Sequence, residues 1–217
     1  MRYGNALMAA AFSALGVPGA VAAPFDAYLG LRGSIVEGND THAVVAATDL
    51  RAHPSTGVGG SLYAGTALGY GFRVEGELLY RHFTLDSLYA AGAPLPGRGG
   101  YTQIAAPMAN VFWDPPIPEF IVRPFLGAGF GGAYVDSHLR SGTTQLFSAD
   151  NWHFAYQLMA GVTLPLTQSS RLTGMYRYFR VQDASYTCTV PGVPPVVAAC
   201  KADLTNQSID LGLEFDI

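Results

Sequence analysis

Serine and histidine recur close together twice, once with an aspartate. His138 lies three residues before Ser141, and Ser148, Asp150 and His153 share one short run. A histidine beside a serine can take the hydroxyl proton and create a nucleophile, provided an acid orients the imidazole. The chemistry would be hydrolysis of an ester. Both sets sit in or beside stretches rich in Gly, Ser and Thr, where such residues are ordinary turn formers, so a solvated loop is the favoured reading. His42 and His53, with Asp40 and Asp49, could hold a metal ion, but they too fall in a polar loop. Gly127-Ala128-Gly129-Phe130-Gly131 has the look of a phosphate cradle. No helical pattern follows it, and strand glycines that permit close packing explain it better. No catalytic residue, metal or cofactor is expected. Cys188 and Cys200 bracket a Pro-rich, irregular segment, VPGVPPVVAA. In an oxidising compartment they are expected to form a disulfide closing that loop. The gain would be about 3 kcal/mol if unstrained. CxxC spacing is missing and no histidine is near, which argues against a redox pair or a metal.

These residues need a scaffold, and composition narrows it. The chain has 217 residues, 49% hydrophobic and 12% aromatic, but only 13% charged. Average soluble domains carry about 25% charged residues, which argues against a water-soluble enzyme. Disorder is excluded by the apolar content. A helical polytopic membrane protein is excluded because only one stretch approaches the ~18 apolar residues of a spanning helix. The net charge of −4 and the single lysine, Lys201, give no basic footprint for nucleic acid. The apolar stretch is N-terminal. Met1-Arg2 precedes an apolar run from Ala6 to Leu15, helix breakers follow at Gly16 to Gly19, and Ala20-Val21-Ala22 fits signal peptidase. Residues 1–22 are therefore expected to be a signal peptide, and 23–217 one exported domain.

After residue 23 no helical period is sustained; period-two alternation recurs instead. Ile209, Leu211, Leu213, Phe215 and Ile217 alternate with Asp210, Gly212, Glu214 and Asp216. The pattern predicts eight strands, at about 25–36, 58–70, 72–84, 100–113, 119–136, 151–165, 170–182 and 206–217. Gln103 breaks the apolar parity of the fourth, which places it above a bilayer. Connections alternate between short turns and long loops, at roughly 37–57, 85–99, 137–150 and 183–205. An even-stranded, up-and-down antiparallel transmembrane barrel has this asymmetry, with periplasmic termini and long extracellular loops. With the apolar parity outward, the lumen receives Arg32, Arg73, Arg81, Arg123, Arg171 and Arg177 together with Asp26, Glu75, Glu77, Asp210, Glu214 and Asp216. These charges cancel, as a narrow lumen requires, because buried charges must pair. Eight strands leave room only for side chains, so a wide pore is not expected. A soluble lipocalin-like barrel would invert the parity. Leader, loop asymmetry and aromatic residues near strand ends favour the membrane.

Three stretches carry a family resemblance. Asp210-Leu211-Gly212-Leu213-Glu214-Phe215-Asp216-Ile217 resembles the signal read by the outer-membrane assembly machinery, with Gly212, Phe215 and Ile217 at its key positions. Ile217 stands where an aromatic residue is usual. Met108-Ala109-Asn110 through Asp114, then Arg123-Pro124-Phe125-Leu126-Gly127-Ala128-Gly129-Phe130-Gly131, resembles a motif region of the small outer-membrane β-barrel surface antigens and opacity proteins. Tyr176-Arg177-Tyr178 resembles their penultimate strand. The family is similar in shape to the barrel domain of OmpA-like proteins. The resemblance implies eight antiparallel strands, residence among outer-membrane lipid including lipopolysaccharide, and a structural or surface-presenting role in envelope integrity or adhesion. An extracellular ligand could bind through the loops. A narrow channel, or a hydrolase of lipid A or phospholipid at the rim, are the alternatives; the HxSN pattern of lipid A deacylases is missing.

Overall fold

The computed structural model describes residues 27–38, 41–45, 48–90, 93–94, 98–117, 121–141, 144–190 and 196–217. Side chains are described for 27–38, 55–84, 100–117, 121–138, 151–182, 184 and 203–217. The expected signal peptide lies outside these residues.

The described elements are strands: β1 (Ala27–Gly38), β2 (Thr41–Val45), β3 (Thr48–Pro54), β4 (Gly57–Gly69), β5 (Phe72–Ala90), β6 (Ala93–Pro94), β7 (Arg98–Trp113), β8 (Arg123–Ser141), β9 (Thr144–Pro165), β10 (Ser170–Val190) and β11 (Val196–Asp216). Eight of them form an antiparallel ring in the order β1, β4, β5, β7, β8, β9, β10, β11. Pairing of β1 with β11, from Tyr28↔Asp216 to Gly38↔Asn206, closes it. Closure leaves no backbone edge unpaired, the condition for spanning lipid with strands. β2, β3 and β6 are additions at one end: β2 and β3 form a hairpin, and β3 continues the ladder onto the upper part of β5.

The four expected long loops are mostly strand. β5 runs to Ala90, β8 and β9 pair as far as Ser141↔Thr144, and β10 and β11 continue to Val190 and from Val196. Polar and glycine-rich composition suggested loops. Backbone pairing with a neighbour already in register carries such residues along as strand. The opposite rim is as compact as expected. Gly69, Tyr70 and Gly71 all adopt positive φ between β4 and β5, the left-handed geometry of a tight hairpin. The Asp114 amide donates to the Gly71 carbonyl at 2.7 Å, and the Ile217 amide to the Ala27 carbonyl at 3.0 Å.

The outer surface is apolar between two levels. Along β5, Phe72, Leu78 and Tyr80 are exposed, and the next outward residue is His82. Ten strand steps at ~3.3 Å, tilted by ~40°, rise about 25 Å, the height of an outer-membrane apolar band. Glu37, His82, Gln103, Asp136, Arg180 and Gln207 mark the upper border on six strands, and the register joins them as neighbours: His82↔Gln103↔Asp136 and Glu37↔Gln207. Exposed Leu31, Ile35, Leu62, Phe130, Leu158 and Leu211 lie below that border.

The lumen is filled in layers. Near the short-turn rim Phe112, Phe125, Met159 and Met175 pack together. Polar and charged side chains fill the middle. Above them comes an apolar layer including Val36, Phe83, Ile104, Val135, Phe179 and Val181, each no more than 4% exposed. The sequence reading anticipated an ionic lumen and missed this layer. At this level the outward residues turn polar, with Glu37, His82, Gln103, Asp136 and Arg180 beside these positions, so the alternation is inverted relative to the belt below and a reading that puts the apolar parity outward misses the layer.

Candidate functional site

β5 supplies the hub of the lumen, because Arg73, Glu75, Glu77 and Arg81 alternate along it and all point inward. The buried charged residues are Arg32, Arg73, Arg81 and Arg177 against Glu75, Glu77, Asp210 and Glu214, so the set is neutral. Glu77 accepts from Arg177 Nη2 at 2.8 Å and Nη1 at 3.0 Å, from Asn110 Nδ2 at 2.9 Å, and from Gln157 Nε2 at 3.0 Å. Arg32 reaches it at 3.4 Å and donates to Glu75 at 2.9 Å. Arg177 Nε lies 2.8 Å from the Asp210 carboxylate. Tyr28 donates to Glu75 at 2.9 Å and Tyr63 to Glu214 at 3.2 Å. The arginines also use rings: the Arg32 guanidinium lies 3.4 Å from the Tyr63 ring centre, and Arg73 lies 4.6 Å from that of Phe112. Such stacking supplies partial negative charge to a desolvated cation. Arg81 is held by Asn206 and Ser208 and stacks on Phe179 at 4.9 Å.

Three expected lumen positions lie at the rim instead. Arg123 is exposed at the first position of β8; its parity is inward, but the strand begins there, below the packed interior. Arg171 and Asp216 are also partly exposed, and pair at 2.7 Å. Asp26 lies outside the described residues. At the same rim Arg73 Nε sits 3.0 Å from Asp114, whose carboxyl is raised above its ordinary value by burial, with Arg73 opposing the shift.

The motif residues converge on this network. Asn110 both donates to Glu77 and accepts from Gln157 at 2.7 Å. Asp114 pairs with Arg73, Phe125 packs below it, and Arg177 lies at the centre. Gly212 faces inward, where an added Cβ would come within 2.7 Å of Arg32 Cγ. Phe215 and Ile217 are exposed at the rim on the outer face. Sequence reasoning missed Asn206, Ser208, Tyr28 and Tyr63. Their inward parity was the available signal, but uncharged side chains did not stand out in a charge count.

Of the reactive candidates, the side chains of Ser141, Ser148 and Asp150 lie outside the described set. His138 has the outward parity of Tyr134 and Asp136, and His153 the inward parity of buried Ala155 and Gln157. The register sets Ser148 of β9 opposite His138 of β8, and His138 Nε2 lies 3.0 Å from Asp136. His42 is opposite Arg51 and His53 opposite Ser87, and among the described residues no three metal-ligating side chains converge. Gly127, Gly129 and Gly131 lie inside β8, where an added Cβ would strike Phe112, Asn110 and Pro107. Cys188 and Cys200 sit on strands rather than in an irregular loop, opposite Ala198 and Tyr186. Their side chains, and with them the expected disulfide, lie outside the described set.

Comparisons with known proteins follow the same lines. Residues 101–215, just over half of the chain, match the family model described as Surface antigen. An uncharacterised protein of Brucella abortus is 43% identical over 83 residues, which cover 34% of this chain and 29% of that protein; counterparts in Brucella suis and Brucella melitensis match equally. The chain thus spans less than a third of the length of these relatives. The outer membrane protein OprG from Pseudomonas aeruginosa superposes with a TM-score of 0.62 at 13% identity, covering 89% of this chain and 98% of OprG. Neisserial surface protein A gives 0.54 at 14%, with coverages of 88% and 97%. The outer membrane protease OmpT from Escherichia coli gives 0.56 at 7%, with coverages of 90% and 99%. At such identities the likeness speaks for the fold alone. The motif residues that knit the lumen and the family match over β7 to β11 agree: the chain belongs to the Surface antigen family of bacterial outer-membrane β-barrels.

Proposed function

We propose that this is a closed, non-catalytic barrel that serves the envelope as a structural and surface-presenting element, with its termini in the periplasm and its tall strand extensions outside the cell. The observation that carries this reading is the layered lumen. A permeating ion would have to cross an apolar layer of fully buried side chains and then displace partners in a neutral, hydrogen-bonded ionic layer. Moving an ion into such surroundings costs several kcal/mol even after relaxation. The extensions of β5 and β7 to β11, with the β2–β3 hairpin, supply the presenting surface. Lipopolysaccharide is the expected neighbour, the outer-membrane assembly machinery the expected insertion partner, and an extracellular ligand would meet the upper hairpins. Planar-bilayer recording of the refolded protein is expected to show no steady conductance. A reproducible single-channel step that changes in an Arg81→Gln variant would overturn the reading in favour of a narrow channel.

One observation favours a second reading. Asp136 lies 3.0 Å from His138 Nε2, and the register sets Ser148 opposite His138. That placement would suit a rim hydrolase acting on lipid esters. Fatty-acid release from phospholipid or lipid A that disappears in both His138→Ala and Ser148→Ala would establish it.

A further inference from the structure

We propose that the β10–β11 hairpin is a redox-driven slide: joining Cys188 to Cys200 moves the upper part of β10 by two residues along β11, toward the apolar belt. The two cysteines occupy diagonal positions on one face of the ladder, with Cys188 opposite Ala198 and Cys200 opposite Tyr186. Diagonal neighbours have Cα atoms about 7–8 Å apart. A disulfide usually spans Cα atoms about 4.4–6.8 Å apart, and beyond ~7 Å it needs backbone movement. The observed register is therefore that of the dithiol. Residues directly opposite each other lie about 4.5–5.5 Å apart, so a slide that sets Cys188 against Cys200 brings them within reach.

The hairpin is built to allow that movement. An odd slip would turn every residue to the other face, whereas a slip of two keeps each on its own. It also costs little in pairing. Val190 passes from Val196 to Ala198, and Thr189 from Val197 to Ala199, so an apolar partner replaces an apolar partner. β10 has a place to take up the surplus. Gln182 and Asp183 already bulge where Val181↔Leu204 gives way to Ala184↔Ala202. Among the described residues β10 also has no partner on β9 between Val181↔Ala155 and Thr187↔Ser148. Below, the fully buried Phe179, Val181 and Ala184 hold the register, so the two surplus residues fall between Ala184 and Cys188. β11 pairs with β1 only as far as Gly38↔Asn206. Among the described residues its upper part is therefore laddered to β10 alone, and the slide breaks no pairing on that side.

A low-molecular-weight disulfide supplies the oxidant. One cysteine attacks it as the thiolate, a mixed disulfide forms, and the second cysteine displaces the remaining small thiol. Cys188 and Cys200 together give up two protons and two electrons, one S–S bond forms in the protein, and the small disulfide leaves as two thiols. Two strand positions correspond to about 7 Å of travel. The slide lowers the tip of the hairpin by that amount. It also changes the setting of Lys201, the single lysine of the chain, which stands opposite Ser185 in the dithiol register and opposite the displaced residues 185–187 in the disulfide register. The presented surface thus has two forms, selected by the thiol–disulfide poise of its surroundings. The inference does not depend on whether the lumen conducts.

Amide hydrogen exchange of the protein folded in phosphatidylcholine vesicles tests it, after equilibration with reduced or with oxidised glutathione. Mass spectrometry is expected to show roughly tenfold faster exchange at residues 185–187 in the oxidised protein, with residues 170–181 unchanged. Ala198→Cys combined with Cys200→Ala sets two cysteines directly opposite in the observed register. Oxidised, that variant should keep the exchange pattern of the reduced parent. Its bond should also withstand about tenfold more reduced glutathione than the parent's before half is opened. Identical exchange in the oxidised and reduced parent overturns the proposal. So does a parent pair that stays unjoined in oxidised glutathione, or one as hard to reduce as the directly opposed pair. Should the variant not fold, read by heat-modifiable mobility, the exchange of the parent decides.

Discussion

Replacing Glu77 by Gln isolates the lumen network in one change of nearly constant shape. Glu77 is 2% exposed and accepts from two guanidiniums and two side-chain amides. The substitution turns a neutral buried set into one with an unbalanced positive charge. It also turns an NH2 group toward Arg177, Asn110 or Gln157, all of which donate. Breaking a buried ion pair by removing one partner costs about 3–5 kcal/mol. Two weakened charged hydrogen bonds at ~1.5–3 kcal/mol each give the same range. A loss of about 4 kcal/mol lowers the folding equilibrium constant by roughly a thousandfold. Urea titration of the barrel in lipid vesicles, followed by folded and unfolded gel mobility, reads this directly. Adding Arg177→Met restores neutrality, so the double variant should lose less than the two single losses summed. A midpoint for Glu77→Gln within about 0.5 kcal/mol of the parent, or strict additivity in the double variant, refutes a coupled ionic core.

Glycines separate by face. In Gly161→Ala the new methyl would lie 2.6 Å from both Met175 Cβ and Phe125 Cζ, so a loss of about 1–3 kcal/mol is expected. Gly33→Ala and Gly76→Ala meet nothing within 4 Å and should leave the urea midpoint unchanged or slightly raised, by up to ~1 kcal/mol; the reverse order would show that the faces are misassigned. Nitroxides at Leu211 and Ile209 should collide with hydrocarbon-dissolved oxygen, whereas one at Ser208 should not; accessibility at Ser208 matching Leu211 would contradict the outward parity. Protein unfolded without reductant should take up no thiol label if Cys188 and Cys200 are joined, and labelling of both would remove the disulfide.

Alternation along β5, β10 and β11 was enough to place Arg73, Glu75, Glu77, Arg177, Asp210 and Glu214 on one face, because a strand turns successive side chains to opposite sides. It was not enough for Phe83, Ile104 or Val135. Their outward neighbours His82, Gln103 and Asp136 are polar, so above the belt the alternation inverts and an apolar side chain no longer marks the lipid face. Arg123 shows a different gap: its parity is inward, yet its depth depends on where β8 starts. The Asp136–His138 pair facing Ser148 was equally invisible, because a cross-strand neighbour is set by register, and the residues involved are far apart along the chain.

The amino-acid order was sufficient for strand number, the lipid-facing side, the cancelling charges and the short-turn rim. All of these follow from local period and local turn chemistry. The closed ring decided the rest. Pairing in register extended polar segments into tall strands, and neighbours ten to a hundred residues apart gave each buried arginine its carboxylate or ring. Pairing of β7 with β8 breaks at Ala106 and Pro107, where the proline has no N–H to give. Such features depend on which strands lie side by side and at what offset, and those are properties of the whole barrel.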